Sequence, residues 1–211
     1  MDTIAYLLRT RGYAVIPDFL DQSDVERLKD GLMLAIDSYQ PRDLSERSVL
    51  DRYNIHDLLV RDSAHICLLD DARLDRELAK LLGDYWILYA FTASSLPPEG
   101  SNYARRIHVD SPRWVENYPF NVGVMWALDP FTADNGAPEF LPGSHHSIDV
   151  PSEEHFAEYH DTVCCSQGAL VIFDARVFHR AGVNRTDRWR HALTLNACRS
   201  FTFSEKSWRA L

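Results

Sequence analysis

The sequence predicts an α+β protein in which helices come first and short strands follow as a barrel or a double-sheet jelly roll. Three observations lead there. Two amphipathic helical periods lie within the first 82 residues, apolar and β-branched runs alternate with turn residues from Tyr85 onward, and the ten prolines and nine glycines are scattered as turn punctuation. No internal repeat or low-complexity tract divides the chain. With 211 residues, 45% of them hydrophobic and 25% charged, the chain has material for one sizeable core, and residues 1–211 are expected to form a single domain.

Taken in order, Gly12-Tyr13-Ala14-Val15-Ile16-Pro17 reads as a short β-rich run. Asp21, with Asp24 three residues on, can cap a helix over about 22–39, where Val25, Leu28, Leu32 and Ile36 share one face. A second helix is expected over about 72–82, with Leu74, Leu78, Leu81 and Leu82 on one side and Gly83 to end it. Strands are expected at about 85–95, 106–110, 119–128, 138–142, 161–165, 169–174, 177–180 and 190–200. Pro97-Pro98, Asp134-Asn135-Gly136, Pro142-Gly143 and Gln167-Gly168 supply the breaks.

Composition excludes several classes of partner. The net charge of −9 repels nucleic acid phosphates and acidic lipid surfaces. No run approaches the roughly 20 uncharged apolar residues of a membrane span, and the N-terminus lacks a basic region followed by an apolar run. The four cysteines, Cys67, Cys164, Cys165 and Cys198, form no C-x-x-C pair and are expected to be reduced thiols of a cytoplasmic protein.

The chemistry concentrates in three places. In the expected strand around Ile107, His108 and Asp110 are two residues apart and point to one face, which offers an imidazole nitrogen and a carboxylate oxygen to one point. A lone His-x-Asp is common by chance. Here a second apolar β segment, Val177-Phe178-His179, supplies another histidine, and two histidines with one carboxylate form the facial triad of non-haem iron(II) sites. Eleven residues beyond His179, Arg190 opens a strand and can grip a carboxylate through a fork of N–H donors. Arg185 and Arg188 compete with it by spacing, although the turn Asn184-Arg185-Thr186-Asp187 suits solvated side chains better.

These motifs, in this order, resemble the iron(II)/2-oxoglutarate dioxygenases of the phytanoyl-CoA hydroxylase type, which include ectoine hydroxylases. The similarity runs over most of the chain. It covers Gly12-Tyr13-Ala14-Val15-Ile16-Pro17-Asp18-Phe19-Leu20, His108-x-Asp110, the segment from Asn135 to His145, His179-Arg180-Ala181-Gly182-Val183-Asn184-Arg185, and Arg190. The resemblance implies an α+β fold, a double-stranded β-helix (jelly roll) with N-terminal helices packed on one sheet. It implies that His108, Asp110 and His179 are catalytic metal ligands, that Arg190 binds 2-oxoglutarate, and that His145 is not a ligand. It further implies that O₂ is consumed, that 2-oxoglutarate becomes succinate and CO₂, and that a small molecule is oxidised, by hydroxylation as the default and by desaturation, epoxidation or ring closure as alternatives. Related halogenases lack the carboxylate, so Asp110 argues for oxygen transfer. One departure is Ala181, where relatives often place a serine that touches the cosubstrate. Ser95, just before Pro97-Pro98, is the candidate substitute.

For the substrate, Arg106 with Arg105, Arg113 and Trp114 are the candidates. The resemblance to ectoine hydroxylases includes a Trp six residues after the first metal histidine, and the arginines put positive charge beside the site in an otherwise acidic protein. A compact substrate with an anionic group is therefore expected, and neither nucleic acid nor membrane as a partner. Two other classes compete. A zinc-dependent hydrolase could use the same His/Asp/His set, but no His-Glu-x-x-His occurs and Arg190 would lack a purpose. A non-catalytic jelly-roll ligand-binding protein would need neither a complete triad nor Arg190.

Overall fold

The computed structural model describes residues 2–39, 54–56 and 58–202. Helix α1 (Thr3–Arg11) starts at Asp2, whose carboxylate accepts from the Ile4 amide, and stops at Gly12. Gly12 has φ +88°, and its amide bonds back to the Leu7 and Leu8 carbonyls. A Cβ there would meet His145 Nδ1 at 2.7 Å, so both the backbone hand and the close approach call for glycine. The sequence reading did not anticipate α1, because only Leu8 of its residues is buried and no apolar stripe announces it.

Strand β1 (Tyr13–Ile16) follows, then helix α2 (Gln22–Ser38), capped by Asp21 and burying Val25, Leu28, Leu32 and Ala35 as its period requires. After β2 (Asn54–Ile55) and a one-turn helix α3 (Leu58–Arg61), helix α4 (Ala72–Leu82) buries Leu74, Leu78 and Leu82. The remaining strands are β3 (Trp86–Leu96), β4 (Asn121–Ala127), β5 (Glu139–Phe140), β6 (Asp161–Thr162), β7 (Leu170–Asp174), β8 (His179–Arg180) and β9 (Arg190–Arg199). A short helix α5 (Glu153–Tyr159) lies between β5 and β6 and was also unforeseen.

The strands form two antiparallel sheets, one ordered β1-β7-β4-β9-β3-β2 and a small one ordered β6-β5-β8. The large sheet is covered on both faces: β4 and β7 are almost wholly apolar, whereas β3 and β9 also carry Thr92, Ser94, Thr194 and Asn196. Leu170, Ile172, Val122, Val124 and Trp126 pack with the buried faces of α2 and α4. Val171, Phe173 and Ala192 face the space between the sheets with Phe131 and Phe140. This is the α+β jelly roll with N-terminal helices on one sheet that the sequence predicts. The expected strand over 106–110 is not one: it makes a single antiparallel bridge, His108 to His179, with both amides bonded across at 3.0 Å.

Candidate active site

That bridge builds the site. Residues directly opposite on antiparallel strands put their side chains on the same side, and the rings of His108 and His179 lie 4.3 Å apart. Beyond the bridge the chain is held by Asp110 and Ser111 amides that both donate to the Ala175 carbonyl, which sets Asp110 beside the two imidazoles. Asp110 Oδ1 is 3.6 Å from His108 Nε2 and 3.7 Å from His179 Nε2.

Each ring is aimed by its other nitrogen. His108 Nδ1 is 2.7 Å from the Arg106 carbonyl and His179 Nδ1 is 3.0 Å from the Val177 carbonyl. A carbonyl can only accept, so Nδ1 carries the proton in each ring and the Nε2 lone pair is left toward Asp110. His179 is buried against Phe140 and Phe173. Burial, with the neighbouring His108 second, pushes it down to about 4 against the raising effect of Asp110. A neutral imidazole is the form that ligates a metal. The donor set therefore fits a divalent metal, since three ligand atoms within 4.8 Å of one another include two neutral nitrogens and one carboxylate oxygen.

The triad opens on a cavity of about 250 Å³. Arg190 lines the same cavity, from the first residue of β9, and is only 3% exposed. Its guanidinium donates to the Ser94 carbonyl at 3.5 Å and the Gly136 carbonyl at 3.2 Å, and it lies 4.9 Å from the Phe131 ring centre. Its Nε has no hydrogen-bond partner among the described residues. Burial holds Arg190 down at about 10, below the ordinary guanidinium range. A buried cation with unused donors and no carboxylate on it is suited to an incoming anion. Arg188, the competitor by spacing, is 88% exposed and Arg185 is exposed too.

The other sequence candidates fall differently. Ser95 does not face this cavity: its hydroxyl is buried against His191 Nδ1 at 2.8 Å, on the opposite side of β3. Thr92, Ser94 and Thr194 are the serine and threonine residues that do line it. Ala181 lines it as well. Trp114 borders a second cavity together with Leu8, Leu81, Tyr118 and Arg176, so it makes no canopy over the triad. Arg113 is exposed and does not line the triad cavity. Arg106 is exposed, stacks its guanidinium over Tyr103 at 3.9 Å and reaches the site through its carbonyl, on His108. The corrections at Arg113 and Trp114 share one cause: the segment after Asp110 runs toward α1, a direction that no local pattern encodes.

The sequence reading missed Thr92, Thr194, Asn196 and Tyr89, all of which line the cavity. For three of them the signal was available. Arg190, Ala192, Thr194 and Asn196 are spaced by two on β9 and share its cavity face, and Thr92 is the register partner of Thr194. Tyr89 lines the cavity beside Ala90, next to a register shift between Leu88 and Ala90 that no residue in the segment announces.

The family model described as phytanoyl-CoA dioxygenase matches residues 8–192. An uncharacterized protein of Mycobacterium tuberculosis is 29% identical over 211 residues, covering 95% of this chain and 76% of that protein. Dioxygenase cdmA of Talaromyces verruculosus is 23% identical over 92% of this chain and 71% of its own length. Among solved structures, EctD from S. alaskensis, crystallised with 2-oxoglutarate and 5-hydroxyectoine, superimposes with a TM-score of 0.78 at 21% identity, over 92% of this chain and 74% of that one. Against another solved neighbour, EvdMO1, the chain spans about half the partner's length, 49%. The match over nearly the whole chain, on a fold that brings two histidines, an aspartate and a buried arginine to one cavity, makes this chain a member of the phytanoyl-CoA dioxygenase family, whose cofactors are iron(II) and 2-oxoglutarate.

Proposed function

We propose that the protein hydroxylates a small molecule with 2-oxoglutarate and O₂ as cosubstrates and succinate and CO₂ as coproducts. In this reading His108, Asp110 and His179 hold iron(II) and Arg190 holds the distal carboxylate of 2-oxoglutarate. One observation carries it: a single cavity has three convergent ligand atoms on one wall and a buried, incompletely bonded guanidinium on another. Iron bound there would supply the O₂ activation and redox chemistry that side chains lack.

The chain's own residues bind, orient and exclude water. The Arg106 and Val177 carbonyls keep both Nε2 atoms aimed. Met125, Pro138, Phe173, Ala181 and Ala192 line the cavity with apolar surface, which strengthens the pull of Arg190 on a carboxylate. Thr92, Ser94 and Thr194 put hydroxyls on that wall, in place of the serine that relatives carry where this chain has Ala181.

Support for an anionic substrate group is weaker than the sequence implied. Arg113 and Trp114 stand away from the cavity, and Arg180, the other arginine of its wall, is bonded to Glu139 at 2.6 Å and Glu153 at 3.3 Å. The reading is therefore of a compact small-molecule substrate held by Tyr89 and His56 as well as by apolar surface. It also makes the chain a single dioxygenase domain of the cytoplasm, in keeping with four cysteines that form no disulfide.

The test is iron titration of anaerobic protein followed by succinate release in the presence of candidate substrates. About one iron(II) per chain is expected, and His108→Ala and His179→Ala should each lose most of it. Full iron binding and activity in both variants would refute the assignment.

A further inference from the structure

Asp110 has two carboxylate oxygens, and they are treated differently. Oδ1 lies 3.6 and 3.7 Å from the two histidine nitrogens. Oδ2 accepts a hydrogen bond from Asn196 Nδ2 at 3.4 Å. Asn196 is 9% exposed, and its own amide oxygen accepts from Asn121 Nδ2 at 2.8 Å. Asn121, 4% exposed, opens β4, and its backbone carbonyl accepts from the amide of Ala175, the residue whose carbonyl holds the Asp110 amide.

The order of donors and acceptors in this chain has a consequence. An asparagine amide can be placed either way round, and a carboxylate can only accept. Because Asn121 donates to Asn196 Oδ1, the NH₂ end of Asn196 is the end turned to Asp110. With the amide reversed, oxygen would face oxygen beside a charged group. Asn121 supplies the donor that matches this sense of Asn196, its own Oδ1 having no partner among the described residues, and Asn196 occupies one oxygen of Asp110 while leaving the other facing the histidines.

We infer that Asn196, oriented by Asn121, is a positioning residue that makes Asp110 a one-oxygen ligand. Neither asparagine belongs to the His-x-Asp…His…Arg set, and both sit on strands of the large sheet, whereas His179 lies on the small one. The pair therefore ties the carboxylate ligand to the rigid sheet opposite the histidine bridge. Ligands held by such outer partners bind metal more tightly because less motion has to be frozen on binding. The inference rests on the metal-site reading above.

The test measures cobalt(II) affinity and the cobalt d–d absorption spectrum of the whole chain for wild type, Asn196→Ala, Asn121→Ala and the double variant. Asn196→Ala should bind roughly 10- to 100-fold more weakly, with altered band positions as the freed second oxygen joins the coordination. A purely structural residue would move the melting temperature without moving the bands. Asn121→Ala should weaken binding by a smaller factor and should add nothing once Asn196 is alanine, because it acts through Asn196. If Asn196→Ala does not fold, Asn121→Ala alone carries the test through the same affinity and bands. Wild-type affinity and spectrum in Asn196→Ala, or an undiminished effect of Asn121→Ala in the Asn196→Ala background, would overturn the positioning role. Failure of the wild type itself to bind cobalt would overturn the metal site as well.

Discussion

Replacing Arg190 by methionine is expected to abolish the stabilisation that 2-oxoglutarate gives while leaving the stability of the ligand-free protein nearly unchanged. Burial pushes this guanidinium down to about 10 from its ordinary range, a drop of roughly two pH units. At roughly 1.4 kcal/mol per pH unit, keeping the charge in the empty cavity costs about 3 kcal/mol. Two carbonyl bonds, to Ser94 and Gly136, and the Phe131 ring offset part of it. Losing those partners removes on the order of 2 kcal/mol, an opposing amount of similar size, so the ligand-free variant should melt within roughly 4 °C of the wild type. In the wild type with nickel(II) as a redox-inert metal, 2-oxoglutarate at about 100 times its Kd should add about 2.7 kcal/mol. In the methionine variant that increment should vanish, because the fork of donors is gone. Thermal unfolding with and without 2-oxoglutarate reads both quantities. A ligand-free variant that melts more than about 4 °C below the wild type would make Arg190 a structural residue. An unchanged response to 2-oxoglutarate would remove it from the binding site.

Three further outcomes are expected. In Gly123→Ala the new Cβ would lie 2.1 Å from Phe173 Cζ, and Phe173 packs its ring 5.0 Å from His179; overpacking should lower stability by about 1–3 kcal/mol and weaken metal binding together, and urea midpoints at wild-type level would contradict this. Ser95→Ala should lower stability by about 1–3 kcal/mol by stranding buried His191, yet leave the KM for 2-oxoglutarate unchanged; a raised KM at full stability would return Ser95 to the cosubstrate site. Burial, reinforced by His146, holds His145 at about 4, against 6.5 in the unfolded chain. The unfolded state therefore takes up the proton first, and this group's stabilisation is complete above pH 6.5 and lost as the pH falls toward 4. His145→Gln should lose less stability than the wild type between pH 7 and pH 4, by about 3 kcal/mol at most, and parallel urea midpoint curves for the two proteins would refute the assignment.

Local pattern alone determined much of this protein. The leucine periods of α2 and α4, with Asp21 as a cap, follow from 3.6-residue geometry, and the β-rich second half follows from short apolar runs between turns. The two-residue spacing of His108 and Asp110 implied a shared direction, and the residues after His179 pointed to Arg190. Each of these statements depends on neighbours within a turn or a strand. Which histidine meets which strand was decided only in three dimensions, by the His108–His179 bridge between segments about seventy residues apart in sequence. The same holds for Ser94 against Ser95. They are adjacent, so one must face the cavity and the other the opposite side, and the choice rests on the pairing of β3 with β9 and the irregularity at Leu88 and Ala90. Loop direction was likewise tertiary, since the 111–119 segment carries Trp114 to a cavity beside α1. Asn196 and Asn121 acquire their relation to Asp110 from strand register, which brings together residues that are 75 and 86 positions apart along the chain. Sequence patterns encode what a residue is next to along the chain, and the site is made of what long-range pairing places across from it.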